Sequence, residues 1–437
     1  MGCGASLVGP GFDALAALRR TRPGERAQQD VVDLLINKGF TVRQLLQFYA
    51  HYAAIGKIRG ETTTNDVVKT IIIPETCDPP RCYMESTFMR ERDGGQRARK
   101  LVSHAWKSCF VDTVVSIILD ATDWPLSHIR EKLPDQPTKP PLLRNNVLDA
   151  SSMLQTLSED QLSKTFWLCI FAVDEHHAIC GDCWTCNKKQ EWQLDVPKHL
   201  REESCSLCGH PKYNPCPCGT LKWTPTDIHY EIDKFHEVVK HMDGLVVELN
   251  GTLDSLKRIW VVAEIAEASK RIPVLFRRSS ELSDVARVAL EQGNDMIDSV
   301  GHCEATSDVD RDRILADVKE LKGGIRAYDS FVNCLIHLQF GEFARLKNLR
   351  GFAHLAVCKM PSLSADFGWR PRMELVPADV RLIAEHMSDI KQLRLDFTHC
   401  KHVSDISALA CLEKLTALTS LSLDFRQCHK LSDIGAL

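Results

Sequence analysis

A chain of 437 residues is longer than one ordinary hydrophobic core, so two to four domains are expected. Its formal charge of −4 gives no electrostatic footprint for nucleic acid, and no apolar run approaches the roughly eighteen residues that span a bilayer. No apolar h-region follows a basic start, so the 18 cysteines are read as thiols and metal ligands in a reducing compartment rather than as disulfides.

The chain opens Met1-Gly2-Cys3-Gly4-Ala5-Ser6, which fits the N-myristoylation pattern with Ser6 at the preferred position. Cys3, beside the acylated Gly2, is a natural palmitoylation site. One acyl chain binds membranes marginally and two make a stable anchor. Residues 1–20 are thus expected to be a flexible, dually acylated N-terminus on a cytoplasmic protein held at a membrane. Residues 21–96 read as a small helical module. Helices are expected over 29–38, stopped by Gly39, and over 42–55, capped by Thr41. A short third helix is capped by Thr64 or Asn65 and ended by Pro74. The charged stretch 90–100, RERDGGQRARK, reads as a solvated linker.

From residue 97 to 340 an α/β domain is expected. A helix is read over 110–121 and a four-proline loop at 134–141, and a strand ends at Asp174. A buried strand at 245–249, a helix over 256–269 and a second buried strand at 272–276 form one strand–helix–strand unit. Such a unit implies a parallel sheet with a right-handed crossover. Trp260 and Glu264 lie one turn apart, beside the apolar stripe of that helix. Further helices are expected over 282–293, 309–321 and 328–338.

A cysteine cluster interrupts this domain at 176–222. Cys183-x-x-Cys186 and Cys205-x-x-Cys208 have the spacing of a four-thiolate structural zinc site. Cys180, His210 and the pair Cys216 and Cys218 are alternative ligands, or ligands of a second ion, and His176, His177 and His199 lie close by. No strand directly precedes Cys183-Trp-Thr-Cys186, which argues against a redox motif.

Several of these segments carry a family resemblance. Trp260-Val261-Val262-Ala263-Glu264 followed by Arg271-Ile272-Pro273-Val274 resembles the back half of a Toll/interleukin-receptor-like (TIR-like) domain. Leu101-Val102-Ser103-His104-Ala105-Trp106 resembles that family's first strand, and Phe166-Trp167-Leu168-Cys169-Ile170-Phe171-Ala172-Val173-Asp174 its second, acid-ended strand. The match covers about 180 residues in patches. It implies a parallel-sheet, flavodoxin-like domain that self-assembles. Enzymatic members cleave the nicotinamide–ribose bond of NAD. By that resemblance Glu264 is the catalytic carboxylate, stabilising an oxocarbenium-like state, and Ser103, His104, Trp106 and Trp260 line the cofactor pocket.

The last segment, 341–437, is repetitive. Residues 393–409 recur at 421–437 with a shift of 28 and ten of seventeen positions identical, and Leu363-Ser-Ala-Asp-Phe367 is a weaker copy. Each copy holds a Leu-x-Leu strand, and the pattern resembles cysteine-containing leucine-rich repeats. The last unit has no capping repeat, an end that a longer chain or a second chain would cover. Arg394, Asp396, Ser422 and Asp424 sit beside the strand leucines and are the expected partner-binding positions. The expected architecture is therefore multidomain α/β: helical module, TIR-like domain with a zinc-binding insertion, and leucine-rich repeats. The expected function is a membrane-tethered signalling scaffold that binds other proteins, with NAD hydrolysis through Glu264 as the alternative. The cysteine and histidine order does not follow the cross-braced pattern of a ubiquitin-ligase RING.

Overall fold

The computed structural model describes residues 25–124, 126–130, 142–144, 147–178, 234–269, 271–292, 294–297, 299–305, 308–320, 324–340, 362–366, 383–385, 387–397, 403–426 and 428–432, with isolated residues that include Cys180, Cys216, Cys218, Thr220 and Glu231. Gly2, Cys3, the four-proline loop and the set Cys183, Cys186, Cys205 and Cys208 lie outside the described residues.

The segment expected as a helical module begins with α1 (Glu25–Ile36), whose apolar stripe Val31, Val32, Leu35 and Ile36 is buried in the same core as Leu101 and Leu245 of the central sheet, so it packs onto the α/β layer. Gly39 does not cap it. Gly39 bridges Gln96 instead, and a Cβ there would lie 2.8 Å from that residue's carbonyl oxygen, so a side chain is excluded by close approach. α2 (Val42–Ala54) starts as expected from Thr41, which forms a reciprocal capping box with Gln44. The third helix starts one residue earlier than expected. Thr63 caps it because Asp66 stands three residues on and completes the box. Pro74 does not stop the chain's helical course but occupies the first turn of the next short helix, Ile73–Thr76, where its missing N–H costs nothing.

The centre is a five-stranded sheet. Its strands are β1 (Phe40–Thr41), β2 (Lys100–Ser103), β3 (Thr165–Trp167), β4 (Gly244–Leu249) and β5 (Val274–Arg278). The order is β1-β3-β2-β4-β5, with β1 antiparallel at the edge and the others parallel. The four parallel strands thus run second, first, third, fourth in chain order. Side chains alternate across the sheet. Leu101, Leu245, Val247 and Leu249 enter the core packed by α4 (Ile259–Ser269), and Val102 and Val246 enter the core packed by α3 (Phe110–Thr122).

The run 166–174 is strand only as far as Trp167. Residues Cys169–Ala172 turn into a helix, and Asp174 lies in the following loop. A continuous apolar run fits a buried strand or a buried helix equally, so periodicity could not place that boundary. The helices over 284–291, 308–320 and 324–340 match expectation to within a few residues.

β6 (Ser362–Asp366), β7 (Gln392–Asp396) and β8 (Ser420–Asp424) form a separate three-stranded parallel sheet in the order β8-β7-β6. The sequence copies pair residue for residue, Leu363 with Leu393 and Leu393 with Leu421. Leu363, Leu393 and Leu395 belong to the same buried cluster as Leu245 of the central sheet. Arg394 reaches Asp123, the left-handed residue that ends α3, at 3.2 Å. The repeat sheet is therefore tied to the α/β layer through both core and surface. Asp424 pairs with Arg426, and Ser422 is exposed.

Candidate functional site

In an open parallel sheet, ligands use the crevice beyond the carboxyl ends of the strands, where strand order reverses. That point falls between β2 and β4. β2 ends on Ser103, which shares a face with Leu101, so its hydroxyl looks toward α4. There Ser103 Oγ donates a hydrogen bond to Glu264 Oε2. Both residues are buried, Glu264 being only 8% exposed. Burial pushes the Glu264 carboxyl up to about 7, against the opposing pull of the Ser103 hydroxyl. Cys169, just past β3, completes the group: its thiol is hydrogen-bonded to the Trp106 side chain and lies within the field of Glu264. Burial holds that thiol well above the usual range, so it is not a ready nucleophile.

His104 follows Ser103 and is buried, with Nε2 unpartnered. Burial lowers it to about 4, so the ring is neutral at pH 7. Trp260 turns elsewhere: its ring stands 6.0 Å from that of Phe235, and the Arg313 guanidinium lies 5.6 Å over it. Ser103 and Glu264 thus meet, Trp106 lies beside Cys169, and Trp260 packs beside a different helix. On the other face of β4, fully buried Glu248 accepts from Ser255 Oγ at 2.6 Å and leaves Oε1 without a partner. Burial pushes it up to about 8, so it is largely a neutral acid near pH 7.

A second constellation lies at the start of the insertion. His176, Cys180, Cys216 and Cys218 gather one ligand atom each, all within 4.8 Å of one another. A tetrahedral ion with metal–sulfur bonds of about 2.3 Å separates its sulfurs by about 3.8 Å. Cys180 Sγ and Cys218 Sγ are 3.7 Å apart, and His176 Nδ1 is 3.3 Å from Cys216 Sγ. Hydrogen bonds from Cys180 and then Cys216 pull the Cys218 thiol far down, toward the thiolate a metal needs. Three sulfurs and one imidazole are a donor set that can hold a metal ion, and three of the four residues are buried.

The surroundings hold these ligands in place. His176 and Cys180 are one turn apart on and just after the short helix Glu175–Ala178. Asp174 accepts from the His176 backbone N–H at 3.0 Å and from His177 Nδ1 at 2.7 Å. The Asp174 backbone N–H donates to Glu231, which is itself paired with buried Lys38 of the helical module at 3.1 Å. Thr76 Oγ1 lies 2.9 Å from His176 Nε2.

The sequence reading named Cys180, Cys216 and Cys218 only as alternatives and mentioned His176 only as a neighbour. It missed Cys169, Glu248 and Thr76 altogether. Thr76 and His176 are 100 positions apart, and no spacing rule connects them. No protein-family model matches the chain, and neither a curated protein nor a solved structure matches it.

Proposed function

We propose that the chain is a membrane-tethered signalling scaffold that binds other proteins through a TIR-like domain and leucine-rich repeats. The observation that supports this best is the small parallel sheet. Its backbone register pairs Ser364, Arg394 and Ser422 in one row and Asp366, Asp396 and Asp424 in a second, alternating with the row Leu363, Leu393 and Leu421. Stacked repeats use such ladders as extended binding surfaces. Proximity labelling in cells should therefore lose partners in Arg394→Glu/Ser422→Arg. It should keep them in Asp123→Asn, which weakens the internal ion pairs of Asp123 with Arg394 and Arg277 and leaves the ladder residues in place, and in Glu413→Lys, an exposed position on the segment Ser407–Lys414. An unchanged partner set in the double variant would overturn the surface assignment.

The cofactor we assign is zinc, in a structural role, held by His176, Cys180, Cys216 and Cys218. Thiolate and imidazole donors in a closed tetrahedron suit that ion, and its chemistry there is to cross-link chain segments. Cys183, Cys186, Cys205 and Cys208 remain the sequence-derived ligands for a further ion. The membrane tether rests on Gly2 and Cys3. Gly2→Ala should shift the protein from the membrane fraction to the supernatant, and an unmodified N-terminal peptide in a membrane-bound wild type would refute the acyl anchor. Among the described residues no helix is long and apolar enough to cross a membrane.

A second reading is an NAD-cleaving hydrolase, and the meeting of Ser103 with Glu264 at the strand ends favours it. The carboxyl's burial and its engagement with Ser103 weigh against it. A group pushed up to about 7 is half neutral at working pH and stabilises developing positive charge poorly.

A further inference from the structure

The four metal-ligating side chains do not by themselves fix which nitrogen of His176 faces the ion. Neutral imidazole carries one proton, on either nitrogen, and only the bare nitrogen can bind a metal. The neighbouring hydroxyl resolves the choice. Thr76 has a single hydroxyl proton. Its Oγ1 lies 2.6 Å from the Ile72 carbonyl oxygen, one helical turn back, and donates that proton there. Toward His176 Nε2, at 2.9 Å, Thr76 Oγ1 can then only accept. Nε2 must therefore carry the ring proton, and the lone pair falls on Nδ1. Nδ1 is the atom that faces the thiols, 3.3 Å from Cys216 Sγ.

We propose that Thr76 is a positioning residue of the metal site: it holds His176 in the tautomer whose Nδ1 binds a zinc-like divalent ion. The arrangement is the familiar one in which a metal-bound histidine donates its other N–H to an oxygen that orients the ring. Here that oxygen comes from the helical module. Thr76 and His176 are both fully buried, so water cannot substitute as the acceptor without rearrangement. The site thereby joins the short helix Ile73–Thr76 to the insertion. A buried histidine hydrogen-bonded to Thr76 and to the neighbouring thiols would show the same contacts without any metal, so affinity is the quantity that separates the two.

This inference rests on the metal assignment above, and the test keeps the two apart. The full chain is stripped of metal and titrated with cobalt(II), reading the thiolate-to-cobalt absorption that disappears in Cys216→Ser. Zinc affinity follows by competition with a chelator. No such absorption in the wild type would defeat the metal assignment itself. With the site intact, Thr76→Val, which keeps the shape but cannot accept, should weaken binding about 10- to 100-fold, and Thr76→Ser should restore it. The decisive step is the same pair of measurements in a His176→Cys background, where no imidazole tautomer is needed. There Thr76→Val should change affinity less than about twofold. Equal weakening in both backgrounds means a merely structural role and overturns the proposal, as does wild-type affinity in Thr76→Val. If Thr76→Val does not fold, Thr76→Ala serves in the same cycle with the same two outcomes.

Discussion

Removing the metal from the full chain should lower its melting temperature by on the order of 10 °C, and Cys216→Ser should do the same with metal present. An ion that binds only the folded state stabilises by RT ln(1 + [L]/Kd), about 4 kcal/mol at a thousandfold excess over Kd. A kilocalorie shifts the midpoint of a domain of this size by roughly 2–4 °C. The effect is large because the ligands come from both ends of a long insertion, His176 and Cys180 at its start and Cys216 and Cys218 near its close. An ion held there would cross-link two chain segments about 36 positions apart in sequence. Binding requires deprotonated thiols and releases protons, so the gain should shrink as the solution is acidified. Differential scanning fluorimetry with and without a zinc chelator, alongside metal analysis, checks this. A metal-free chain with unchanged midpoint would remove the structural role.

The second large effect is in pH. Between pH 6.5 and 8 the wild type should lose stability relative to Glu248→Gln, by about 2 kcal/mol over the interval. Glu248 is ordinary at 4.5 when unfolded and is raised to about 8 in the fold by burial, with Asp112 and Asp254 adding to it. Between those values the folded state holds a proton that the unfolded state has lost. Stability therefore falls as pH rises, until the folded carboxyl itself ionises. Glu264, raised to about 7, contributes the same sign but is nearly spent by the top of the window. His104 has the opposite sign: lowered to about 4, it costs stability only as pH drops below 6.5. The depressed Asp120 and Asp174 carboxylates act only in more acid solution, where their ion pairs and hydrogen bonds are lost. Cys218, whose thiol is pulled far down, has the opposite sign in this window, but it is common to both proteins, so the comparison with Glu248→Gln isolates Glu248. Glutamine at 248 keeps an acceptor for Ser255 and cannot ionise. Denaturant unfolding of both proteins in matched metal-free buffers gives the difference directly. A difference that is flat with pH would mean Glu248 is charged in the fold.

Much of the architecture could be read from residue order. Val31, Leu35 and their neighbours marked α1, Thr41 marked the start of α2, and the 28-residue repetition marked β7 and β8. What escaped was whatever depends on distant partners. Gly39 looked like a helix stop because nothing local reveals that the backbone at Gln96 passes against it. The apolar run from Phe166 carries no period that could tell three residues of strand from a following helical turn. The site showed the same divide. Cys-x-x-Cys spacing advertises itself, but the described cluster joins single thiols and a histidine whose relation exists only in three dimensions. Ser103 and Glu264 were named together through a family likeness and not through any pattern linking them. Their contact spans 161 positions.

The scaffold account stands or falls on whether this chain turns over NAD. Glu264 is the only carboxylate the hydrolase reading assigns, and in the fold it is buried and engaged by Ser103. The direct measurement is nicotinamide release from NAD by the purified full chain, at concentrations high enough to drive self-association, with Glu264→Gln and Glu267→Gln run beside it. Glu267 lies nearly one turn further along α4 and is the control. The account predicts no release above buffer from any of the three proteins. Release by the wild type and by Glu267→Gln that falls a hundredfold or more in Glu264→Gln, the scale expected for losing a charge-stabilising carboxylate, would contradict it.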